Sequence, residues 1–123
     1  MTEIFGDLAS SEPLPIWQGL LARAVLGEAS TLAVIELDAN VVVPEHSHTN
    51  EQLGVLATGQ MTFTIAGETK VLGPGDTWRI LAHVPHSVVA GPDGAVAIES
   101  FAPARDDWTD RERVVPRAPH WPK

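Results

Sequence analysis

Residues 46–52 read HSHTNEQ, and a distant histidine, His86, follows in the second half of the chain. Side chains alternate between the two faces of a strand, so an extended backbone places His46 and His48 side by side. These two imidazoles, the oxygen of Gln52 and the ring of His86 offer three nitrogens and one oxygen, which suit a divalent transition metal. Two histidines at this spacing alone would more often form an exposed polar pair on a strand edge. The pattern around them favours the metal site.

The composition is typical of one small globular domain. The 123 residues are 44% hydrophobic and 20% charged, far from the proportions of disordered chains, and this length suits a single domain. Sixteen acidic residues against eight basic ones give a net charge of −8, which argues against nonspecific binding to nucleic acid or to an anionic membrane. We therefore expect neither partner, and an anionic substrate would need a local cationic group.

The sequence also bears on localisation and on cysteine chemistry. Its first residues lack a basic region followed by an apolar run, and no stretch approaches about 18 uninterrupted apolar residues. We therefore expect a cytoplasmic protein. The absence of cysteine excludes disulfides, thiolate ligands and a cysteine nucleophile.

Short apolar segments separated by turn residues recur along the chain and show almost no 3.6-residue period. This pattern predicts mostly β structure. We expect a hairpin at residues 58–60, and we expect residues 91–94 to connect the last two strands. Many short strands at roughly eight- to twelve-residue spacing predict an antiparallel sandwich or barrel. The candidate strands are 20–26, 31–37, 41–43, 53–57, 61–65, 69–72, 77–81, 86–89 and 95–101.

The two ends of the chain are less regular than its centre. Residues 12–15 read EPLP, which excludes a long helix or a central strand there. Residues 106–110 can open a short helix because acidic side chains suit a helix N-terminus. We expect the rest of the tail to be ordered only against the body or a partner chain. Because tryptophan is usually mostly buried, we interpret four residues as packing residues: Trp17, Trp78, Trp108 and Trp121.

Two segments resemble the motifs of the cupin family. Residues 46–59 contain the histidine pair, three residues, Gln52, six residues and a glycine, while residues 75–86 run from Gly-Asp to LAHVPH. The resemblance covers about residues 30–105 and implies an all-β fold, a small antiparallel β-barrel of the jelly-roll type. It identifies residues 1–123 as a single cupin domain with an N-terminal extension, 1–15, and a C-terminal tail, 106–123. Asn40 and His83 stand where the motifs usually have glycine.

The resemblance also implies one divalent metal ion inside the barrel, held by His46, His48, Gln52 and His86. Its identity stays open because imidazole suits zinc, nickel, iron, manganese and copper. The family usually has glutamate at position 52, and a neutral glutamine makes the ion the stronger Lewis acid. Glu51 is an alternative ligand, although it would face another way in an extended strand. We interpret His83 as lying beside the ligands or on the surface, and His120 as solvated.

A narrower resemblance concerns residues 99–108, which read ESFAPARDDW. They are similar to the end of the pectin degradation protein (KdgF-type) cupins, in which an acid, a phenylalanine and an arginine recur at this spacing. Those cupins convert a cyclic 4,5-unsaturated uronate to its linear keto form. Carried over, Arg105 would bind the substrate carboxylate with two hydrogen bonds, Glu99 would be the acid/base, and Phe101 would shape the pocket. These roles require Glu99 and Phe101 to face the barrel interior.

These features predict a metal-dependent isomerase or tautomerase acting on a small carboxylated sugar. One alternative is a metal-dependent dioxygenase, which needs a redox-active ion and adjacent open coordination positions. Another is a cupin that binds or senses a small ligand without turnover. In a purely structural interpretation, Phe101 packs in the core and Arg105 pairs with Asp106 or Asp107. We also expect a homodimer, because small cupins generally pair through the sheet and the two ends add apolar surface.

Overall fold

Eight strands and one short 3-10 helix follow one another in the computed structural model, which describes residues 3–115 and 117–122. No helix in the described part of the chain is long and apolar enough to cross a membrane. The elements are β1 (Leu14–Trp17), β2 (Leu20–Leu26), β3 (Thr31–Leu37), β4 (Val42–His46), β5 (Glu51–Ile65), β6 (Glu68–Leu72), β7 (Thr77–Ile80), β8 (His86–Ala102) and η1 (Asp106–Trp108).

Two long antiparallel strands, β5 and β8, organise the fold. They pair from Glu51 opposite Ala102 to Ile65 opposite His86. The strand order is β1-β2-β3-β8-β5-β6, with β4 also on β8 and β7 also on β5. One end of β8 pairs with β4 and the other with β3. This all-β antiparallel arrangement is the jelly roll that the sequence predicts, and β2 and β3 have the predicted bounds.

The predicted hairpin at residues 58–60 is wrong. β5 continues through this segment, with register shifts between Leu56 and Thr58 and between Gly59 and Met61. The predicted connection at residues 91–94 is also wrong, because β8 runs through it without a break. Bulges bend a strand without ending it. A Cβ on Gly59 would lie 2.2 Å from the carbonyl oxygen of Gly94, so glycine permits the close approach of the two long strands.

Strand alternation places one face of β3 and β8 in the core. Along β8, Ala95, Ala97, Glu99 and Phe101 are buried on the same side. β1 lies at the edge of this sheet and pairs with β2, a position in which a strand tolerates proline. The largest apolar side chains of the core are those of Trp78, Trp108, Phe63 and Phe101.

Three non-glycine residues have a left-handed backbone, Asn40, Ala66 and His83, and two of them lie in the cupin motifs. Asn40 has φ +61° and His83 has φ +66°, and these are the positions where the cupin motifs usually carry glycine. Asparagine tolerates this conformation better than histidine because its short amide can hydrogen-bond locally. The chain therefore keeps the glycine conformation of both motifs without the glycine.

The C-terminal tail covers the outer face of β2 and β3 through a buried ion pair. Arg23 and Glu36 are 0% and 2% exposed, and they form a salt bridge. Nη2 of Arg23 also donates to the carbonyl of Arg117 at 3.0 Å, and the backbone N–H of His120 donates to Glu36 at 2.9 Å. The tail therefore packs against the body of its own chain, while the ring of His120 stays 53% exposed.

Candidate metal centre

Three histidine side chains meet in the barrel cavity, where His46 is exposed, His48 is half-buried and His86 is buried. His46 ends β4, His48 follows it, and His86 begins β8 opposite His46. One ring nitrogen of each lies within 4.8 Å of the corresponding nitrogens of the other two. The two motifs, distant in the sequence, thus contribute to one cluster.

Backbone carbonyls fix the orientation of all three rings. Each Nδ1 lies 2.8–2.9 Å from a carbonyl oxygen two residues away, the oxygens being those of Pro44, Asn50 and Val84. Because a carbonyl only accepts, Nδ1 carries the proton and Nε2 keeps its lone pair. Nε2 of His86 is buried and has no hydrogen-bond partner among the described residues. A metal ligand would satisfy this nitrogen.

Gln52 completes the cluster with its amide oxygen. Oε1 of Gln52 lies 3.0 Å from Nε2 of His48. When Nδ1 of His48 carries the proton, these two atoms present lone pairs to each other, and a cation between them removes the repulsion. Glu51, the alternative ligand, is not part of the cluster.

The pKa shifts of His48 and His86 favour neutral rings. Burial lowers the pKa of His86 to about 4. Burial also lowers the pKa of His48, and the positive charge of Arg105 adds to this effect. Protonation of His48 is therefore disfavoured as the source of the positive charge between its Nε2 and the Gln52 oxygen. Neutral imidazole is the form that binds a metal, so three nitrogens and one oxygen fit a divalent transition ion.

Glu99 lies next to the cluster and holds the amide of Gln52. Nε2 of Gln52 donates to Oε2 of Glu99, and Nε1 of Trp78 donates to the same oxygen at 2.9 Å. Because a carboxylate only accepts, Glu99 directs the amide oxygen towards the histidines. Burial raises the pKa of Glu99, while the hydrogen bonds from Gln52 and Trp78 oppose this shift.

A cavity of about 290 Å³ contains the cluster together with Glu99, Phe101 and Arg105. Glu99 and Phe101 are 7% and 3% exposed and face the interior, the condition that their predicted roles require. Much of the remaining wall is apolar, including Ile35, Leu37, Met61, Phe63 and Val88. The cavity therefore combines a polar end with a wall that offers few hydrogen bonds.

Arg105 contacts two rings and one carboxylate. Its Cζ lies 5.0 Å from the ring centroid of Phe101 and 4.5 Å from that of Trp108. Nε and Nη2 donate to the two carboxylate oxygens of Asp107 at 3.0 and 2.8 Å. Its side chain is 12% exposed and lines the cavity. Arg105 therefore pairs with Asp107, as the structural interpretation predicts, and also lines the cavity, as the substrate-binding interpretation requires.

Several residues of the site have roles that the sequence analysis did not assign. Trp78, interpreted as a packing residue, is buried but also donates to Glu99. The interpretation of Trp17 as a buried packing residue is wrong, because Trp17 is 46% exposed and lines the cavity. Asn50 accepts from Nδ1 of His48 through its carbonyl and donates through its side chain to the carbonyl of Pro103. His83 is exposed, and its N–H donates to the carbonyl of His48 at 2.8 Å.

The fold and this cluster agree with the family assignment, because the family model for the cupin domain matches residues 33–99. The chain belongs to the cupin family. Within it, the chain is a small cupin similar to KdgF: the pectin degradation protein KdgF of Dickeya dadantii (strain 3937) is 33% identical over 64 residues. That alignment covers 51% of this chain and 58% of the relative, so the chain spans little more than half of the length of this relative.

Solved structures resemble the chain over most of its length. An RmlC-like cupin from Shewanella frigidimarina NCIMB 400 has a TM-score of 0.81 at 28% identity, covering 88% of this chain and 97% of that one. KdgF from Halomonas sp. has a TM-score of 0.78 at 24% identity, covering 86% and 98%. At 24% identity, the similarity to the Halomonas protein shows the fold alone. Both solved structures support the assignment of a jelly-roll fold.

Proposed function

We propose that this protein is a metal-dependent isomerase that converts a small cyclic unsaturated uronate to its linear keto form. The observation that carries the proposal is that one cavity contains the histidine cluster, the buried carboxylate of Glu99 and the guanidinium of Arg105. The similarity to KdgF supports the class of substrate. The volume of about 290 Å³ suits one sugar ring rather than an oligosaccharide.

In this proposal His46, His48, Gln52 and His86 hold one divalent ion. When bound, the ion supplies Lewis acidity to substrate oxygens. Zinc, nickel, iron, manganese and copper all suit such ligands, so its identity stays open. Glu99 contributes by fixing the direction of the Gln52 oxygen, an arrangement that supports tight binding because groups hydrogen-bonded to ligands strengthen metal sites.

The proposed reaction neither gains nor loses atoms. The hydroxyl at C1 loses its proton, the bond between C1 and the ring oxygen breaks, and C1 becomes an aldehyde. The enol left at C5 becomes a ketone when C4 accepts a proton. We assign both proton transfers to Oε1 of Glu99, which takes the proton from the C1 hydroxyl and returns it at C4. Two donors already occupy Oε2, and burial raises the pKa of this carboxyl.

Arg105 binds the carboxylate next to C5 in this mechanism. A guanidinium offers two parallel N–H groups to a carboxylate, and contacts with Phe101 and Trp108 restrict the rotation of this one. Phe101 forms the wall beside it and excludes water from the reacting carbons. Arg105 is thus the local cation that an anionic substrate needs in a chain of net charge −8.

The test is an assay of protein loaded separately with each of the five metals on a 4,5-unsaturated galacturonate. Loss of ultraviolet absorbance from the conjugated C4–C5 double bond measures turnover, and NMR identifies the linear keto product. We expect catalysis with at least one metal. Oxygen consumption without this product would favour the dioxygenase, and tight binding without turnover would favour the sensory cupin. Either result contradicts the isomerase.

We also propose a homodimer. Val25, Leu32 and Leu53 are 60%, 47% and 42% exposed. Register pairing aligns them across the sheet, with Ser100 between the two leucines, which supports a self-complementary contact. Light scattering should give about twice 13.2 kDa, and a monomer at micromolar concentration would contradict it.

The single domain over residues 1–123, the cytoplasmic localisation and the lack of nucleic-acid or membrane partners stay predictions.

A further inference from the structure

The guanidinium of Arg105 is engaged on one of its two carboxylate-binding edges. Nε and Nη2 form the side edge, and both donate to the carboxylate of Asp107. The other edge is formed by Nη1 and the second N–H of Nη2. No described residue accepts a hydrogen bond from Nη1. The ion pair with Asp107 therefore leaves one two-pronged edge for a second carboxylate.

The surroundings of Arg105 restrict where that edge can point. The backbone N–H of Arg105 donates to the hydroxyl of Thr31 at 2.9 Å, and Thr31 is fully buried. The rings of Phe101 and Trp108 contact the guanidinium, but ring contacts allow it to slide and turn in its own plane. The two hydrogen bonds that Arg105 donates to Asp107 remove this last freedom, because a bidentate pair fixes the in-plane angle.

We propose that Asp107 is a positioning residue that holds Arg105 with its free edge available to the substrate carboxylate. This inference rests on the proposed function, in which Arg105 binds that carboxylate. Asp107 is suited to the role because its own carboxylate is 57% exposed while the side chain of Arg105 is 12% exposed. The hydrogen bonds from Arg105 also lower the pKa of Asp107, so the pair is charged at neutral pH.

A competing role for Asp107 predicts the opposite result. If its carboxylate occupied the place of the substrate, removing its charge would tighten substrate binding. The structure favours positioning, because Asp107 takes the side edge alone and a guanidinium can bind one carboxylate on each edge. The sign of the change in affinity therefore separates the two roles.

The experiment compares Asp107→Asn with Asp106→Asn in full-length, metal-loaded protein. Both variants remove one negative charge from the same short turn, but no hydrogen bond from the described residues reaches the side chain of Asp106. Calorimetry measures binding of galacturonate and of its uncharged methyl ester, and kinetics give KM and kcat for the unsaturated uronate. Metal content and melting temperature check that each variant is folded.

We expect Asp107→Asn to weaken galacturonate binding and to raise KM about fivefold, the scale for a partly exposed pair. In Asp107→Asn, methyl ester binding and kcat should each change less than about twofold. Asp106→Asn should behave as wild type. Asp107→Glu should bind galacturonate more tightly than Asp107→Asn does. Unchanged or tighter binding in Asp107→Asn would overturn the proposal.

Arg105→Ala separates failure of this inference from failure of the proposed function. Loss of the guanidinium should weaken galacturonate binding at least about tenfold and remove the preference over the ester. If Arg105→Ala has this effect and Asp107→Asn has none, only the positioning role is wrong. If neither variant changes KM or galacturonate binding, the carboxylate-binding role of Arg105 is wrong, and the role of Asp107 is wrong with it.

Discussion

Glu99 accepts a hydrogen bond from the side-chain amide of Gln52 and thereby sets the direction of the Gln52 oxygen. A glutamate at position 52, the usual family residue, could not donate this hydrogen bond and would put a second carboxylate against Glu99. Glutamine at position 52 and a buried acid at position 99 therefore depend on each other.

This dependence makes an exchange of the two residues informative. We expect Gln52→Glu to lower the free energy of unfolding by about 1–3 kcal/mol, because two adjacent buried carboxyls must share a proton or repel. The double variant Gln52→Glu, Glu99→Gln should recover most of the loss, since it restores one amide and one carboxylate. Urea unfolding measures both. Additive effects of the two substitutions would contradict the coupling.

Replacing Glu99 alone tests its proposed role in proton transfer. Glu99→Gln should abolish turnover of the unsaturated uronate, because an amide cannot exchange the proton. The oxygen of the new amide can still accept from Gln52 and Trp78, so metal content should stay near that of wild type. Glu51→Gln, a change of the same kind on a neighbouring strand, is the control and should remain active. Turnover by Glu99→Gln would exclude the acid/base role.

The metal site predicts that the histidines are not equivalent. His86→Ala should weaken binding of a divalent ion at least about tenfold, since even the groups that support ligands contribute that much. His83→Asn should bind normally, because His83 is exposed and lies outside the cluster. Elemental analysis and competition with a chelator measure the difference. Equal losses in both variants, or no metal in the wild-type protein, would contradict the site.

Local spacing made the histidine cluster predictable. His46 and His48 share a face in any extended segment, and the motif around His86 repeats a family pattern. The contact of Trp78 with Glu99 could not be predicted in this way. Register places both residues opposite Gly54, and a Cβ on Gly54 would lie 2.3 Å from the Trp78 ring. The indole of Trp78 reaches Glu99 because Gly54, which lies between them, has no side chain. The contact therefore depends on three strands, β7, β5 and β8.

Glycine also explains the errors in the strand assignment. Gly59 and Gly94 have φ +84° and +76°, a conformation that also occurs in hairpin turns. In this fold they lie within β5 and β8, where they allow bulges and close backbone contact. Sequence spacing does not distinguish a glycine that ends a strand from one that bends it, because the difference depends on a strand that arrives from elsewhere.

The left-handed backbone at Asn40 and His83 predicts stabilising substitutions. His83→Gly should raise the free energy of unfolding by about 0.5–1 kcal/mol, because glycine adopts φ +66° without a clash of Cβ. Asn40→Gly should gain less, since asparagine tolerates this region. Ala82→Gly is the control, because Ala82 has no positive φ, and it should be neutral or destabilising. Urea unfolding of the three variants checks the order.

The ion pair of Arg23 and Glu36 predicts a loss of stability that is larger when one partner is removed than when both are replaced. Glu36→Gln should destabilise the protein by about 3–5 kcal/mol, because Arg23 is fully buried and would lose its countercharge. The double variant Arg23→Met, Glu36→Leu should cost much less, since it removes both charges and keeps their volume. Glu36→Gln should also weaken the contact with the tail at His120, which faster proteolysis of the tail would report. Equal stability of the single and double variants would contradict this account.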